Sequence, residues 1–232
     1  MKTIGLIGGL SWESSILYYR LINEAARERL GGLHSADSLM YSFDFHEIEV
    51  LQHEGCWDEA AARMVEAAQR LERGGAELIV ICSNTMHRMY DQVQAQIGIP
   101  MLHIADATAE RIVAAGLRRV GLLGTRYTME QEFYKGRLVE RYGLDVLMPD
   151  AAGRDRVHQI IYDELVVGVI KPESKAAYVD VMRDLVARGA ECIILGCTEI
   201  TLLVGQDDTS VPVFDTTAIH AVAALEAALA RT

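Results

Sequence analysis

Two segments of this 232-residue chain carry residue types suited to proton chemistry, in matching settings. RGGAELIVICSNT, ending at Thr85, aligns without gaps on ARGAECIILGCTE, ending at Glu199, so that Gly75-Ala76-Glu77 falls on Gly189-Ala190-Glu191 and Ser83 on Cys197. Each segment reads as an apolar strand ending in a turn that bears a hydroxyl or a thiol. In open parallel sheets, ligands bind beyond the carboxyl ends of the strands, where helix starts present free N–H groups. A Ser and a Cys at equivalent strand ends suit a reaction that takes a proton from one face of a ligand and returns it to the other. A thiol has a pKa near ~8.5 and reaches its thiolate at modest cost beside a helix N-terminus, whereas a serine hydroxyl needs a partner base. Cys197 therefore reads as the proton abstractor and Ser83 as a donor or relay. Cys82 comes one residue too early, and a one-residue shift in a strand turns the side chain to the opposite face.

The elements that must position these residues are short apolar runs alternating with amphipathic helical stretches, the pattern of βαβ units. Strands are expected at TIGLIGG, SLMYSFDF, ELIVICS, PMLHI, RVGLLGT, DVLMP, CIILGC and VPVFDT, with helices at 14–30, 58–73, 105–115, 130–142, 154–167, 173–188 and 216–230. The internal repeat extends beyond the two aligned segments. A glycine-ended strand precedes each (Ile4 to Gly9, Val120 to Thr125), and an apolar-Pro-apolar strand follows each (Ile99-Pro100-Met101, Val211-Pro212-Val213). The expected fold is α/β, with two pseudo-symmetric open parallel-sheet lobes sharing one cleft: 1–105 with 211–232, and 106–210. Leu10 and Thr125, after the glycines of the two leading strands, are expected to line that cleft, chiefly through their backbone N–H groups. GLIGG is not GxGxxG, and a tight turn near the ligand accounts for its glycines better than a nicotinamide site does.

Composition excludes several classes of function. The 22 Lys and Arg against 33 Asp and Glu give a formal charge of −11, which argues against nucleic acid and anionic membrane as partners. Half of the residues are hydrophobic, enough for a sizeable core. No apolar run reaches the ~18 residues of a membrane span, and the N-terminus lacks the pattern of a secretory signal, so a cytoplasmic protein is expected. The four cysteines (Cys56, Cys82, Cys192, Cys197) form no CxxC pair and the seven histidines no HExxH, so no metal site is expected.

At Ser83-Asn84-Thr85-Met86-His87 and Gly196-Cys197-Thr198-Glu199 the chain resembles the aspartate/glutamate racemase superfamily, and the GCTE form resembles its aspartate racemase branch. The resemblance spans essentially the whole chain. It implies racemisation without pyridoxal phosphate or metal, in which two cysteines on opposite faces of the substrate α-carbon act as base and acid in turn. Cys197 matches one of them, and Ser83 stands where the other is expected. A branch with a hydroxyl at this first position, whose members act on L-aspartate and L-glutamate, resembles the chain closely. Ser in place of Cys implies kcat and KM values that differ between the enantiomers.

The resemblance also implies that Gln52 lies where a side-chain carboxylate is bound, often by arginine, and that Lys171 resembles the lysine supplied for that carboxylate. Lys171 reads equally as a solvated loop lysine before Pro172. Asn84, Thr85 and Thr198 are expected to bind the α-carboxylate, with helix capping as the competing role. Glu199 is expected to meet the substrate ammonium, or only to complement a helix dipole. Ser83 can serve as an N-cap as well, and His87, one turn later, packs or relays to its hydroxyl. The family resemblance suggests a homodimer acting on a small amino-acid substrate. Other one-cysteine reactions of the superfamily, arylmalonate-type decarboxylation or maleate-type isomerisation, are the alternatives among enzymes. A non-catalytic amino-acid-binding protein is the alternative outside them.

Overall fold

Ile4–Gly8 is buried at every position, so both faces of this strand (β1) are covered, as the continuous apolar run requires. In a computed structural model that describes residues 1–230, β1 sits inside a four-stranded parallel sheet between β2 (Ser38–Ser42) and β3 (Leu78–Ile81), with β4 (Met101–Leu102) beyond β3. The register runs Ile4↔Ser38 on one side and Ile4↔Leu78 on the other. Helices α1 (Trp12–Leu30), α2 (Phe45–His53), α3 (Trp57–Arg73) and α4 (Tyr90–Gln94) connect these strands. Ser11 caps α1 by accepting from the Ser14 N–H, and Asp44 caps α2 through the His46 N–H.

After α5 (Ile104–Ala114) a second four-stranded parallel sheet follows with the same plan: β5 (Arg119–Gly124) lies between β6 (Asp145–Leu147) and β7 (Cys192–Gly196), and β8 (Val213–Asp215) lies outside β7. Its helices are α6 (Arg126–Glu130), α7 (Lys135–Tyr142), α8 (Ala151–Asp163) and α9 (Pro172–Ala187), and α10 (Thr216–Leu229) closes the described chain. All eight expected strands form. The expected helix at 130–142 is broken, because Gln131 is extended (φ −94°, ψ 149°) and the chain turns to bury the Tyr134 ring before α7 begins.

The chain divides into two units, Met1–His103 with the residues from His220 onward, and Ile104–Ile219. The expected boundary at 210 is displaced to 219, because β8 takes its hydrogen bonds from β7 in the register Ile193↔Val213. The first unit has two main cores, one around Ile7, Ile79, Ile81 and Met64, the other around Ile4, Leu6, Tyr18 and Val80. The second unit has a single large core that includes Leu122, Ile194, Tyr178 and Cys197. No helix among the described residues is long and apolar enough to cross a membrane.

Candidate active site

Glycines shape the strand ends that carry the chemistry. Gly124 and Gly196 pair across β5 and β7, and a Cβ on Gly124 would lie 2.8 Å from the Gly196 carbonyl oxygen, as one on Gly196 would from that of Leu123. Only glycine lets the backbones approach so closely, and the residues that follow, Thr125 and Cys197, therefore leave adjacent strand ends of the second unit. In the first unit Gly9 takes a positive φ of 70°, where a Cβ would meet the Phe43 carbonyl at 2.2 Å. The Gly9 N–H donates to Ser15 Oγ at 2.8 Å, which ties this turn to α1.

Cys197 is buried at the start of a 3-10 turn over Thr198–Leu202. Its thiol donates to Glu199 Oε2 at 3.0 Å, and the Thr198 hydroxyl donates to the same oxygen at 2.6 Å. Burial pushes the thiol pKa well above its ordinary value, and the Glu199 carboxylate pushes it further. The backbone N–H groups of Glu199 and Ile200 oppose the rise without cancelling it. The expectation of a readily formed thiolate is therefore corrected: the helix-start effect is present, but desolvation and an adjacent carboxylate outweigh it, and Cys197 rests as a thiol. Tyr178 of α9 is buried nearby, and its phenol is raised well above its usual range by burial and by Cys197, Glu164 and Glu199. It lies 19 positions before Cys197, and no local spacing in the sequence could have linked the two.

Thr125 is buried and caps α6, its hydroxyl oxygen accepting from the Thr128 N–H at 3.3 Å. Lys171 stands at the start of α9, half exposed, with Nζ 3.2 Å from Glu164 Oε1. The Ser174 hydroxyl donates to the same carboxylate at 2.6 Å, and these bonds hold the Glu164 pKa below its usual value.

In the first unit Ser83 follows β3 and is half-buried, and Asn84 and Thr85 are buried behind it. A 3-10 turn over Thr85–Met89 begins here, and Ser83 Oγ accepts from the Met86 N–H at 3.4 Å. His87 does not reach the Ser83 hydroxyl; its Nδ1–H donates to the Ser83 carbonyl at 2.6 Å. Gln52 of α2 is buried, with Nε2 3.0 Å from Met86 Sδ, and Leu10 packs in the same core as Met86. Cys82 is fully buried in the core with Tyr18 and Val80, where burial raises its thiol pKa. The first unit thus gathers Ser83, Asn84 and Thr85, with Gln52 reaching the same turn through Met86, and the second gathers Cys197, Thr198, Glu199 and Thr125.

The family model for Asp/Glu/hydantoin racemases matches residues 7–224. Among curated proteins, the broad-specificity amino-acid racemase RacX of Bacillus subtilis is 23% identical, over 98% of both chains. Among solved structures, a Yersinia pestis protein provisionally assigned as an Asp/Glu racemase is 56% identical with a TM-score of 0.93, covering 99% of this chain and 100% of that one. An aspartate racemase homologue from Pyrococcus horikoshii is 39% identical with a TM-score of 0.84, covering 98% of this chain and 99% of that one.

Proposed function

The chain belongs to the Asp/Glu/hydantoin racemase family, and from that premise we propose that it racemises aspartate and glutamate by taking and returning the α-proton, without pyridoxal phosphate or metal. The observation that carries this reading is the buried Cys197 thiol hydrogen-bonded to Glu199 at the end of β7. A thiol held this way becomes a base once its proton passes to the adjacent carboxylate. The resulting thiolate removes the α-proton and is a thiol again. The carbanion then takes a proton on its other face from Ser83; solvent resupplies that hydroxyl, and Glu199 releases to solvent the proton it took from the thiol, so the site returns to its starting state.

In this proposal Leu10, Asn84, Thr85, Thr125 and Thr198 supply donors to the α-carboxylate and to the charge that develops on it. Gln52 and Lys171 serve the side-chain carboxylate, for which Lys171 exchanges Glu164. Because Ser83 is the weaker acid–base partner, the two enantiomers differ in kcat and KM while obeying one equilibrium constant.

The protein acts in the cytoplasm as a homodimer. Support for self-association comes from the side chains of Trp12, Ile16 and Tyr19, which form an exposed strip along α1 continuous with Met40 on the edge strand β2 and, through Tyr19, with Leu33. Large apolar side chains gathered in this way at a surface mark an interaction site. The enzymatic reading is tested by chiral chromatography of L- and D-aspartate and L- and D-glutamate after incubation with the protein and with Cys197→Ala. Inversion by the first and none by the second supports it, and no inversion of any of the four overturns it.

A further inference from the structure

The turns after β3 and β7 align residue for residue, Ser83 with Cys197, Met86 with Ile200 and His87 with Thr201, yet they close differently. After β7, the Ile200 N–H donates to the Cys197 carbonyl at 3.3 Å while also facing the Cys197 sulfur, and the thiol itself donates to Glu199. After β3, the equivalent Met86 N–H is taken by Ser83 Oγ instead. The Ser83 carbonyl, which a 3-10 turn would have satisfied, is taken by the His87 imidazole at 2.6 Å. A buried carbonyl needs a partner, so these two bonds support one another.

His87 is itself held rigidly. It is buried, with its ring 4.8 Å from that of His103 and 5.4 Å from that of His220. His220 donates from Nε2 to the Leu102 carbonyl at 3.2 Å and has Nδ1 2.9 Å from the Tyr18 hydroxyl, while burial and His87 hold its pKa well below the ordinary value. Tyr90 closes the other side, with its ring 4.7 Å from His103 and its hydroxyl on the Met101 carbonyl.

We infer that His87 is the positioning residue of Ser83: by occupying the Ser83 carbonyl it diverts the Met86 N–H to Ser83 Oγ and so fixes where that hydroxyl stands. The inference rests on the racemase reading for its functional consequence, but its structural half is independent of it. Without the imidazole, the Met86 N–H turns to the carbonyl, as the Ile200 N–H does after β7, and the Ser83 hydroxyl is released. Asparagine keeps a donor where Nδ1 was, whereas glutamine places its donor where Nε2 was and leucine has none.

The test compares His87→Leu, His87→Gln and His87→Asn with the unsubstituted protein, by crystal structure and by turnover in heavy water. The expected structure of His87→Leu or His87→Gln has Met86 N–H on the Ser83 carbonyl and Ser83 Oγ rotated away. The expected kinetics are inversion slowed by roughly 10²-fold at unchanged KM, with exchange without inversion, which needs only Cys197, retained, and His87→Asn restored toward the original ratio. A merely structural role lowers inversion and exchange together and gives no advantage to asparagine. The inference is overturned if Ser83 Oγ keeps the Met86 N–H in His87→Leu and His87→Gln, or if the ratio of inversion to exchange does not separate asparagine from the other two. Absence of exchange in the unsubstituted protein would instead overturn the racemase reading, and the crystal structures would still decide the role of His87.

Discussion

Cys197 Sγ lies 3.0 Å from Glu199 Oε2 as the donor to that oxygen, and burial together with the Glu199 charge holds the thiol pKa well above its ordinary value. Replacing Glu199 with Gln removes the negative charge that raises the thiol pKa and also the group proposed to receive its proton. The two consequences have opposite signs in two measurements. Alkylation of Cys197 by iodoacetamide at fixed pH near 8 should quicken by about three- to fourfold for each tenfold rise in thiol acidity, the larger thiolate fraction being partly offset by weaker nucleophilicity, while turnover falls by roughly 10²-fold or more. Slower alkylation in Glu199→Gln would show that the carboxylate does not hold the thiol protonated.

Close approach of β5 and β7 gives a second prediction. A methyl added at Gly196 meets the Leu123 carbonyl at 2.8 Å, and backbone cannot yield as a side-chain end can. Gly196→Ala should cost about 1–3 kcal/mol of stability by denaturant unfolding. Gly205→Ala, where nothing lies within 4 Å, serves as the comparison. Equal stabilities for the two variants would contradict the packing described for the β5–β7 strand end.

The buried His220 sets a pH dependence of stability. Burial and the neighbouring His87 hold its folded pKa well below 6.5, so below pH 6.5 the unfolded chain binds the proton and the folded chain does not. Stability is therefore present above about pH 6.5 and is lost as pH falls through it, by up to about 1.4 kcal/mol per pH unit from this group. His158 is shifted in the same direction by burial and by Arg126, so it adds to the slope. His220→Gln, which keeps a donor for the Leu102 carbonyl but does not titrate, should flatten the dependence of unfolding free energy between pH 6.5 and 5. An unchanged slope would count against a neutral buried His220.

Self-association through the α1 strip is checked by sedimentation velocity. Trp12→Glu combined with Tyr19→Glu places two charges on side chains that are 61% and 54% exposed in the single chain, so folding should be little affected. The expected outcome is a shift from dimer to monomer at micromolar concentration with an unchanged thermal midpoint. A dimer that persists would place the interface elsewhere.

Most of the architecture was legible in the sequence because both sheets are built from short runs buried on both faces, which stand out as continuous apolar segments between helical stretches. The repeat of Ser83 on Cys197 was legible for the same reason, since each ends a strand in a matching position. What escaped depends on distance or desolvation. The nine-residue α2 hides behind the end of β2, where Phe43 N–H on the Gly8 carbonyl turns the chain out of the strand expected to continue. The side to which β8 belongs is decided by its hydrogen bonds to β7, which an apolar-Pro-apolar run does not specify. The state of Cys197 is not legible because a helix start is visible in sequence while burial beside Glu199 is not. The distance from His87 to the Ser83 carbonyl was equally invisible, although the i, i+4 spacing that permits it was in plain view.

The central claim, that Cys197 moves the α-proton of an acidic amino acid, is tested most directly by proton NMR in heavy water. L- and D-aspartate and L- and D-glutamate are incubated with the protein, with Cys197→Ala and with Ser83→Ala, and loss of the α-proton signal is followed beside chiral chromatography. The account predicts exchange with inversion for at least one of the two amino acids in the unsubstituted protein, none of either in Cys197→Ala, and exchange that outlasts inversion in Ser83→Ala. Exchange that survives in Cys197→Ala, or none with any of the four compounds in the unsubstituted protein, would contradict it.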